Sequence, residues 1–272
     1  MLMIYFVVFA AVLLPVYLFC IAPGKNNDKM RLFENRYIAH RGFFDNKNGV
    51  PENSLSAFSL AAENGYGIEL DIQRTSDGKL VVFHDDSTGR ICGEDLLVTK
   101  TCSEKLRSLK LLGTDEKIPF FDEVLKTVGG RVPLLIEIKP AHDNAAAAET
   151  VMKELENYKG VYCVQSFNPF VLRYLKAHYP SVAVGQLSTD LFDDNKKQPL
   201  IYKLTLGSLL VNFVSRPDFM SFNVKYTKKL SYNIYRIFFK TKNAVWTVSS
   251  KADEKEAKKY GNIIIFEKFD KS

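Results

Sequence analysis

The sequence predicts the α/β class: parallel strands alternating with helices, closed into a barrel and preceded by one transmembrane helix. Three observations point there. Met1 to Pro23 carry no charged side chain. Short apolar runs separated by amphipathic stretches recur through the rest of the chain. Residues 32–272 match the ~250 residues of a typical α/β barrel. Of the 272 residues, 46% are hydrophobic and 25% charged, with only 15 Gly and 10 Pro, so a large core is available and disordered or collagen-like classes are excluded. Four cysteines are too few for a disulfide scaffold. The net charge of +6 comes from 37 basic and 31 acidic residues, with no dense basic run interleaved with aromatics. That disfavours nucleic acid and suits an anionic small molecule or an anionic membrane surface.

The first element is MLMIYFVVFAAVLLPVYLFCIAP, long enough to cross a hydrocarbon core of about 30 Å as a helix. Pro15 kinks such a helix without abolishing it. A cleaved signal peptide would need basic residues ahead of the apolar run and small residues at its exit. The first basic residue is Lys25, and the exit reads Leu18-Phe19-Cys20-Ile21. A lipoprotein reading of Cys20 is opposed by the bulky Phe19. Residues 1–24 are therefore expected as a single-pass anchor and 25–36 as a basic juxtamembrane linker. Lys25, Lys29, Arg31 and Arg36 on its C-terminal side place the remaining chain in the cytoplasm. The odd set Cys92, Cys102 and Cys163 fits a reducing compartment, and a Cys92–Cys102 pair outside the cell is the competing reading.

Candidate strands follow at Tyr37–His40, Gly67–Gln73, Leu80–His84, Leu134–Lys139, Val161–Ser166, Val182–Leu187, Asp218–Phe222, Ala244–Val248 and Ile263–Phe266. Amphipathic stretches lie between many of them, as at Ser54–Glu63, Ala145–Tyr158 and Pro169–His178. The first begins after Asn53 and stops at Asn64-Gly65, a cap and a breaker. This alternation argues for a parallel sheet, and about eight repeats argue for closure. Residues 86–120 are too long for an ordinary strand-to-helix loop and are expected as an insertion forming a lid. The barrel with this insertion is expected to fill residues 37–272.

Charged residues stand at strand ends where the pleat should carry apolar ones. Ile38-Ala39 leads into His40-Arg41, and Val81-Val82-Phe83 into His84-Asp85. Side chains alternate along a strand, so Glu69 and Asp71 share one face, as do Glu137 and Lys139. Burying a carboxylate pair is costly unless something compensates it. A divalent cation held by Glu69, Asp71 and Glu137 would do so, and oxygen-only ligation suits Mg²⁺ or Ca²⁺ better than Zn²⁺. The competing reading is a structural network salt-bridged to Arg41 and Lys139. His40 and His84 are two of only four histidines and can serve as an acid–base pair. His142 in a loop and His178 in an ordinary helix are expected to take no part.

The ordered set His40-Arg41-Gly42, Pro51-Glu52-Asn53-Ser54, Glu69-Leu70-Asp71, His84-Asp85 and Glu137-Ile138-Lys139 resembles the glycerophosphodiester phosphodiesterases. Gln165-Ser166-Phe167 and Val245-Trp246-Thr247-Val248 extend the likeness, which covers roughly residues 37–190 and 243–266. The resemblance implies a TIM barrel and metal-dependent hydrolysis of a glycerophosphodiester to sn-glycerol 3-phosphate and an alcohol, with a lysophospholipid as the alternative substrate. It implies His40 and His84 as catalytic acid and base, Glu69, Asp71 and Glu137 as metal ligands, and Arg41 and Lys139 as phosphate contacts. Glu52 and Asn53 would support the site, and Trp246 would line the pocket. Ile265-Phe266-Glu267 departs from the family's usual small polar then acidic or amide ending, and residues 191–240 match weakly. Within them Leu200–Val214, with Lys203 its only charge, reads as a core helix or as an interfacial helix on a bilayer. The alternatives carried forward are lysophospholipase D-like or phospholipase C-like action on membrane lipids, and a catalytically silent phosphate- or lipid-binding membrane protein.

Overall fold

The computed structural model describes residues 2–140, 143–193 and 198–269. His142 lies outside the described residues. Eight parallel strands close on themselves: β1 (Tyr37–Ala39), β2 (Gly67–Arg74), β4 (Leu134–Ile138), β5 (Tyr162–Ser166), β6 (Val184–Ser188), β7 (Phe219–Asn223), β8 (Ala244–Val248) and β9 (Ile263–Phe266). β1 pairs with both β9 and β2, which completes the ring. The arrangement is consistent with a TIM barrel.

The third apolar run does not join the ring. β3 (Leu80–Val82) runs antiparallel to β2 on its outer edge, with Ile72 opposite Val82. Asp77-Gly78 turns the chain between them, and Gly78 sits at φ +85°. Such an Asp-Gly step between apolar runs favours a hairpin over a crossover. Residues 86–120 then pack on β3 through their own apolar core of Ile91, Val98, Leu106, Leu109, Leu111 and Ile118 against Val81 and Phe83.

Strand alternation sorts the barrel. Ile68, Leu70, Ile72, Leu134, Ile136 and Ile138 face outward into the helix layer, with Phe58, Phe121, Val151 and Leu172 among their neighbours in one cluster. The helix Leu55–Glu63 starts one residue later than the sequence placed it, because Ser54 and not Asn53 is its cap, with Ser54 Oγ accepting from Ala57 N–H. The inward residues form a dry lower layer of Ile38, Leu135, Cys163, Ala183, Phe219, Ala244, Ile263 and Ile265. Gly185 is required there, because a Cβ at that position would lie 2.2 Å from the Phe219 ring. Met30 and Phe33, 0% and 1% exposed, close this layer from below. The segment expected as a linker is thus a packed plug: Asn26 N–H donates to Asp218 Oδ1 (2.9 Å), and Asn27 Nδ2 to Asp218 O (2.7 Å).

The single-pass anchor is overturned. Among the described residues no helix is long and apolar enough to cross a membrane. The N-terminal helix (Leu2–Ile21) ends on the barrel instead. Ile21 is buried against Leu209, Met220 and Phe222. Tyr17 donates to Ser208 O (2.8 Å), Asn212 Nδ2 to Ile21 O (3.2 Å) and Arg216 to Phe19 O (2.6 Å). The cytoplasmic assignment, which rested on charges flanking a spanning helix, falls with it. Leu200–Val214 is likewise not one helix. It breaks at Leu209 (φ +64°) into Leu200–Gly207 and Asn212–Ser215, with Leu206 buried and Leu200, Ile201 and Leu204 exposed. All four cysteines are unpaired, so Cys92 and Cys102 are not bridged.

Candidate active site

The inward column continues upward in a different chemistry. Above the apolar layer, the C-terminal ends of the strands point His40, Glu69, Asp71, Glu137, Gln165, Trp246 and Glu267 toward one mouth. Register sets their level: Asp71 stands opposite Glu137, and Glu137 opposite Gln165. A cavity of about 120 Å³ opens here, lined by His40, Arg41, Glu69, His84, Glu137, Lys139, Gln165, Phe167, Leu187, Trp246, Thr247 and Ile265. Of the ten residues singled out from the sequence, His40, Arg41, Glu69, His84, Glu137, Lys139 and Trp246 line it, while Asp71, Glu52 and Asn53 stand behind them, paired with Lys139, Arg41 and Asp71 respectively.

The carboxylates Glu69, Asp71 and Glu137 are 1%, 0% and 5% exposed, with ligand oxygens all within 4.8 Å of one another. Lys139 Nζ lies 2.8 Å from Asp71 Oδ1 and 2.9 Å from Glu137 Oε1. Neither oxygen receives a hydrogen bond of good geometry within the described residues. Three buried carboxylates this close, with one ammonium between two of them, fit a hard divalent cation, whose preferred ligands are carboxylate oxygens. Burial, then the charge of Asp71, pushes Glu69 up to about 7. Burial also pushes Glu137 up. Burial acts the same way on Asp71, but Lys139, His84 and Arg41 outweigh it and hold that carboxyl well below its usual range. Three close acids with diverging proton affinities behave as one coupled unit.

Each imidazole is tied at Nδ1. His40 Nδ1 meets Glu267 Oε1 at 2.8 Å, and its Nε2 faces Glu69 Oε2 at 3.9 Å. Burial lowers the His40 pKa, yet Glu69 and Glu267 together raise it above the ordinary value. His84 Nδ1 meets Asp85 Oδ1 at 2.7 Å. Burial opposes ionisation of Asp85, but Arg90 and His84 bring it down to about 2. An ionised carboxylate only accepts, so Nδ1 carries the hydrogen and Nε2 the lone pair. Burial lowers His84 to about 4 despite the nearby Asp71.

The turn after β1 is built for contact. Arg41 (φ +55°) and Gly42 (φ +80°) are both left-handed, and a Cβ at Gly42 would strike Ala57 at 2.8 Å. This turn aims Arg41 N–H at Glu69 Oε2 (3.1 Å) and its guanidinium at Glu52 Oε1 (2.6 Å). Glu52 also receives Arg90 at 2.9 and 2.8 Å. Burial resists its ionisation, but the two guanidinium groups bring it down to about 2. Asn53, left-handed at φ +54°, donates to Asp71 Oδ2 (2.9 Å). Trp246 Nε1 donates to Ser221 O (2.9 Å), and its ring meets Phe167 edge-on at 5.9 Å. His178 is exposed and stacks on Tyr174.

Sequence reasoning missed three groups as site members. Glu267 reads from the sequence only as a departure, although it follows β9 directly and stands two residues after the inward-facing Ile265. Arg90 carries no periodic signal, because its place depends on how the insertion folds. Gln165, which donates to Glu69 Oε1 at 3.4 Å, carries no charge to mark it in the sequence, although the β5 alternation places it inward.

The sequence profile of the glycerophosphoryl diester phosphodiesterase family matches residues 40–268. Among curated relatives, a glycerophosphodiester phosphodiesterase of Caldanaerobacter subterraneus subsp. tengcongensis is 37% identical over 163 residues, covering 55% of this chain and 65% of that protein. Human glycerophosphodiester phosphodiesterase 1 is 35% identical over 153 residues, covering 50% and 43%. The match therefore spans less than two thirds of either relative's length. Among solved structures, an Oleispira antarctica phosphodiesterase in complex with sn-glycerol-3-phosphate superposes with a TM-score of 0.69 at 23% identity, covering 86% of this chain and 93% of that one. A glycerophosphodiester phosphodiesterase from Parabacteroides distasonis gives 0.67 at 24%, covering 86% and 93%. At these identities the likeness bears on the fold. The profile match over most of the barrel, on a chain whose mouth gathers these side chains, leads to one statement: the chain belongs to the glycerophosphoryl diester phosphodiesterase family.

Proposed function

We propose that this chain hydrolyses glycerophosphodiesters to sn-glycerol 3-phosphate and an alcohol, with a divalent cation, Mg²⁺ or Ca²⁺, held by Glu69, Asp71 and Glu137. One observation carries the reading. Three buried carboxylates lie within 4.8 Å of one another, and two of them, Glu69 and Glu137, line one cavity with two imidazoles, a guanidinium and an ammonium. When bound, the cation would neutralise phosphoryl charge and lower the pKa of an oxygen nucleophile.

The chain's own residues supply the rest. Arg41 and Lys139 offset the negative charge of the diester, which otherwise repels an attacking oxygen. One of His40 and His84 removes a proton from the nucleophile, and the other protonates the departing alcohol. Glu267 and Asp85 fix the tautomers by holding Nδ1–H, so Nε2 of each ring is the working nitrogen. Trp246 and Phe167 wall the pocket against the glycerol carbons and exclude water from one side.

The same chemistry on single-chain lysophospholipids is a second reading. A cleft of about 380 Å³ adjoins the cavity at His84, Glu137, Lys139 and Phe167 and extends to Leu191 and Tyr202. The helix bearing Tyr202 exposes Leu200, Ile201 and Leu204 beyond it. The test is a panel of glycerophosphodiesters and lysophospholipids incubated with the full chain, with products separated by mass. Release of sn-glycerol 3-phosphate supports the first reading, and release of an acylated glycerol phosphate the second. Absence of phosphodiester cleavage across the panel would sink both and favour a silent phosphate-binding role.

A further inference from the structure

We infer that Arg90, delivered by the insertion, is a positioning residue that fixes two members of the site at once, His84 through Asp85 and Arg41 through Glu52. The inference rests on the reading of the site given above and extends it to a residue outside the cavity.

Arg90 makes two forks. Its Nε and Nη2 lie 2.6 and 3.1 Å from the two oxygens of Asp85. Its Nη1 and Nη2 lie 2.9 and 2.8 Å from the two oxygens of Glu52. Each carboxylate passes the constraint inward. Asp85 Oδ1 holds His84 Nδ1 at 2.7 Å, and Glu52 Oε1 holds Arg41 Nη1 at 2.6 Å. A planar guanidinium can satisfy two carboxylates bidentately, and a lysine ammonium cannot. With both oxygens of Asp85 engaged, its carboxylate plane cannot rotate, and the His84 ring orientation follows.

Anchoring the insertion does not require this arrangement. Residues 86–120 are already held by their own core under β3. Ser103 N–H and Oγ donate to Asp77 at 2.9 and 2.7 Å, and Arg107 pairs with Glu123. The Arg90 side chain is 48% exposed, whereas that of Glu52 behind it is 6% exposed. Removing outer residues that orient site ligands commonly costs 10–100-fold in activity. Displacements near 1 Å in a reacting group have similar cost.

The test uses the full chain and the variants Arg90→Ala, Arg90→Lys and Arg107→Ala. Arg90→Ala is expected to lose about 30-fold in kcat/KM, shared between a lower kcat from His84 and a higher KM from Arg41. Guanidinium at tens of millimolar should restore a substantial part of the loss in Arg90→Ala, and should leave wild type and Arg107→Ala unchanged. Arg90→Lys should stay impaired. Independently of any substrate, ¹⁵N spectra of the histidine rings should show His84 as the Nδ1–H tautomer in wild type and as a mixture in Arg90→Ala. Activity above half of wild type in Arg90→Ala overturns the proposal. So does a loss that guanidinium does not relieve, or a His84 tautomer that does not change. If wild type cleaves no diester, the functional reading fails by itself, and the tautomer measurement still decides the role of Arg90.

Discussion

Replacing Lys139 with Met tests the electrostatics of the site directly. The ammonium is 11% exposed and lies 2.8 and 2.9 Å from two carboxylates that are themselves buried. Methionine keeps most of the volume and removes the charge. Removing one partner of a buried ion pair costs about 3–5 kcal/mol, because the remaining charge is left uncompensated. At about 2.1 cal/mol/K per residue, unfolding 272 residues carries an entropy near 0.57 kcal/mol/K. A loss of about 4 kcal/mol then lowers Tm by about 7 °C in chelator at pH 8. The deficit must depend on pH. Without the ammonium, the folded pKa values of Asp71 and Glu137 rise. A carboxyl raised in the folded state contributes stability that is complete below its unfolded pKa, about 4, and lost as pH climbs through the folded value. The deficit therefore narrows toward pH 5. Millimolar Mg²⁺ or Ca²⁺ should raise Tm of the variant more than that of wild type, because the cation replaces the missing charge. Differential scanning calorimetry with chelator and with metal at pH 5 and 8 measures all three effects. A variant melting within 2 °C of wild type in chelator at pH 8, or a deficit that is flat with pH, refutes the reasoning.

Other outcomes follow from the same geometry. His40→Ala and His84→Ala should each lower kcat by about 10²–10⁴ with the fold retained by circular dichroism, and retention of a tenth of the rate in either would contradict an acid–base role. Exhaustive chelation should abolish diester cleavage and Mg²⁺ or Ca²⁺ restore it, and full activity after chelation would remove the cation from the scheme. Burial and then Asp122 raise Glu154 to about 7, and its Oε2 lacks a partner among the described residues. Its contribution to stability is thus lost as pH rises through about 7. Glu154→Gln should raise Tm by about 2 °C at pH 8, corresponding to about 1 kcal/mol after solvent screening, and leave Tm unchanged at pH 5. Equal shifts at both pH values would count against it.

The acidic and basic side chains of the candidate site were legible because strand alternation is a local rule. Glu69 and Asp71, two apart in an apolar run, must share a face whatever the rest of the chain does, and the same holds for Glu137 and Lys139. The eight ring strands were legible for the same reason. What escaped depends on contacts distant in sequence. Met30 and Phe33 read as part of a charged linker because nothing nearby shows that they fill the barrel floor. The apolar N-terminal stretch reads as a membrane span because composition alone does not reveal Asn212 and Arg216 waiting to bind the last carbonyls of its helix. The Leu80 run was counted as a barrel strand because the apolar signal outweighed Asp77-Gly78, the local mark of a hairpin. Arg90 had no signal, since four residues of helix on a packed insertion decide where its side chain reaches.

The hydrocarbon floor beneath the carboxylates has an effect of its own. Phe219, Met30 and Phe33 form an insulating slab under a cluster of acids, and such a slab polarises far less than water. Field lines from the acids are therefore driven outward through the mouth of the barrel. A cation in bulk solvent would sense the site as a funnel, and ions added to the buffer would blunt its capture rate much more than its residence once seated.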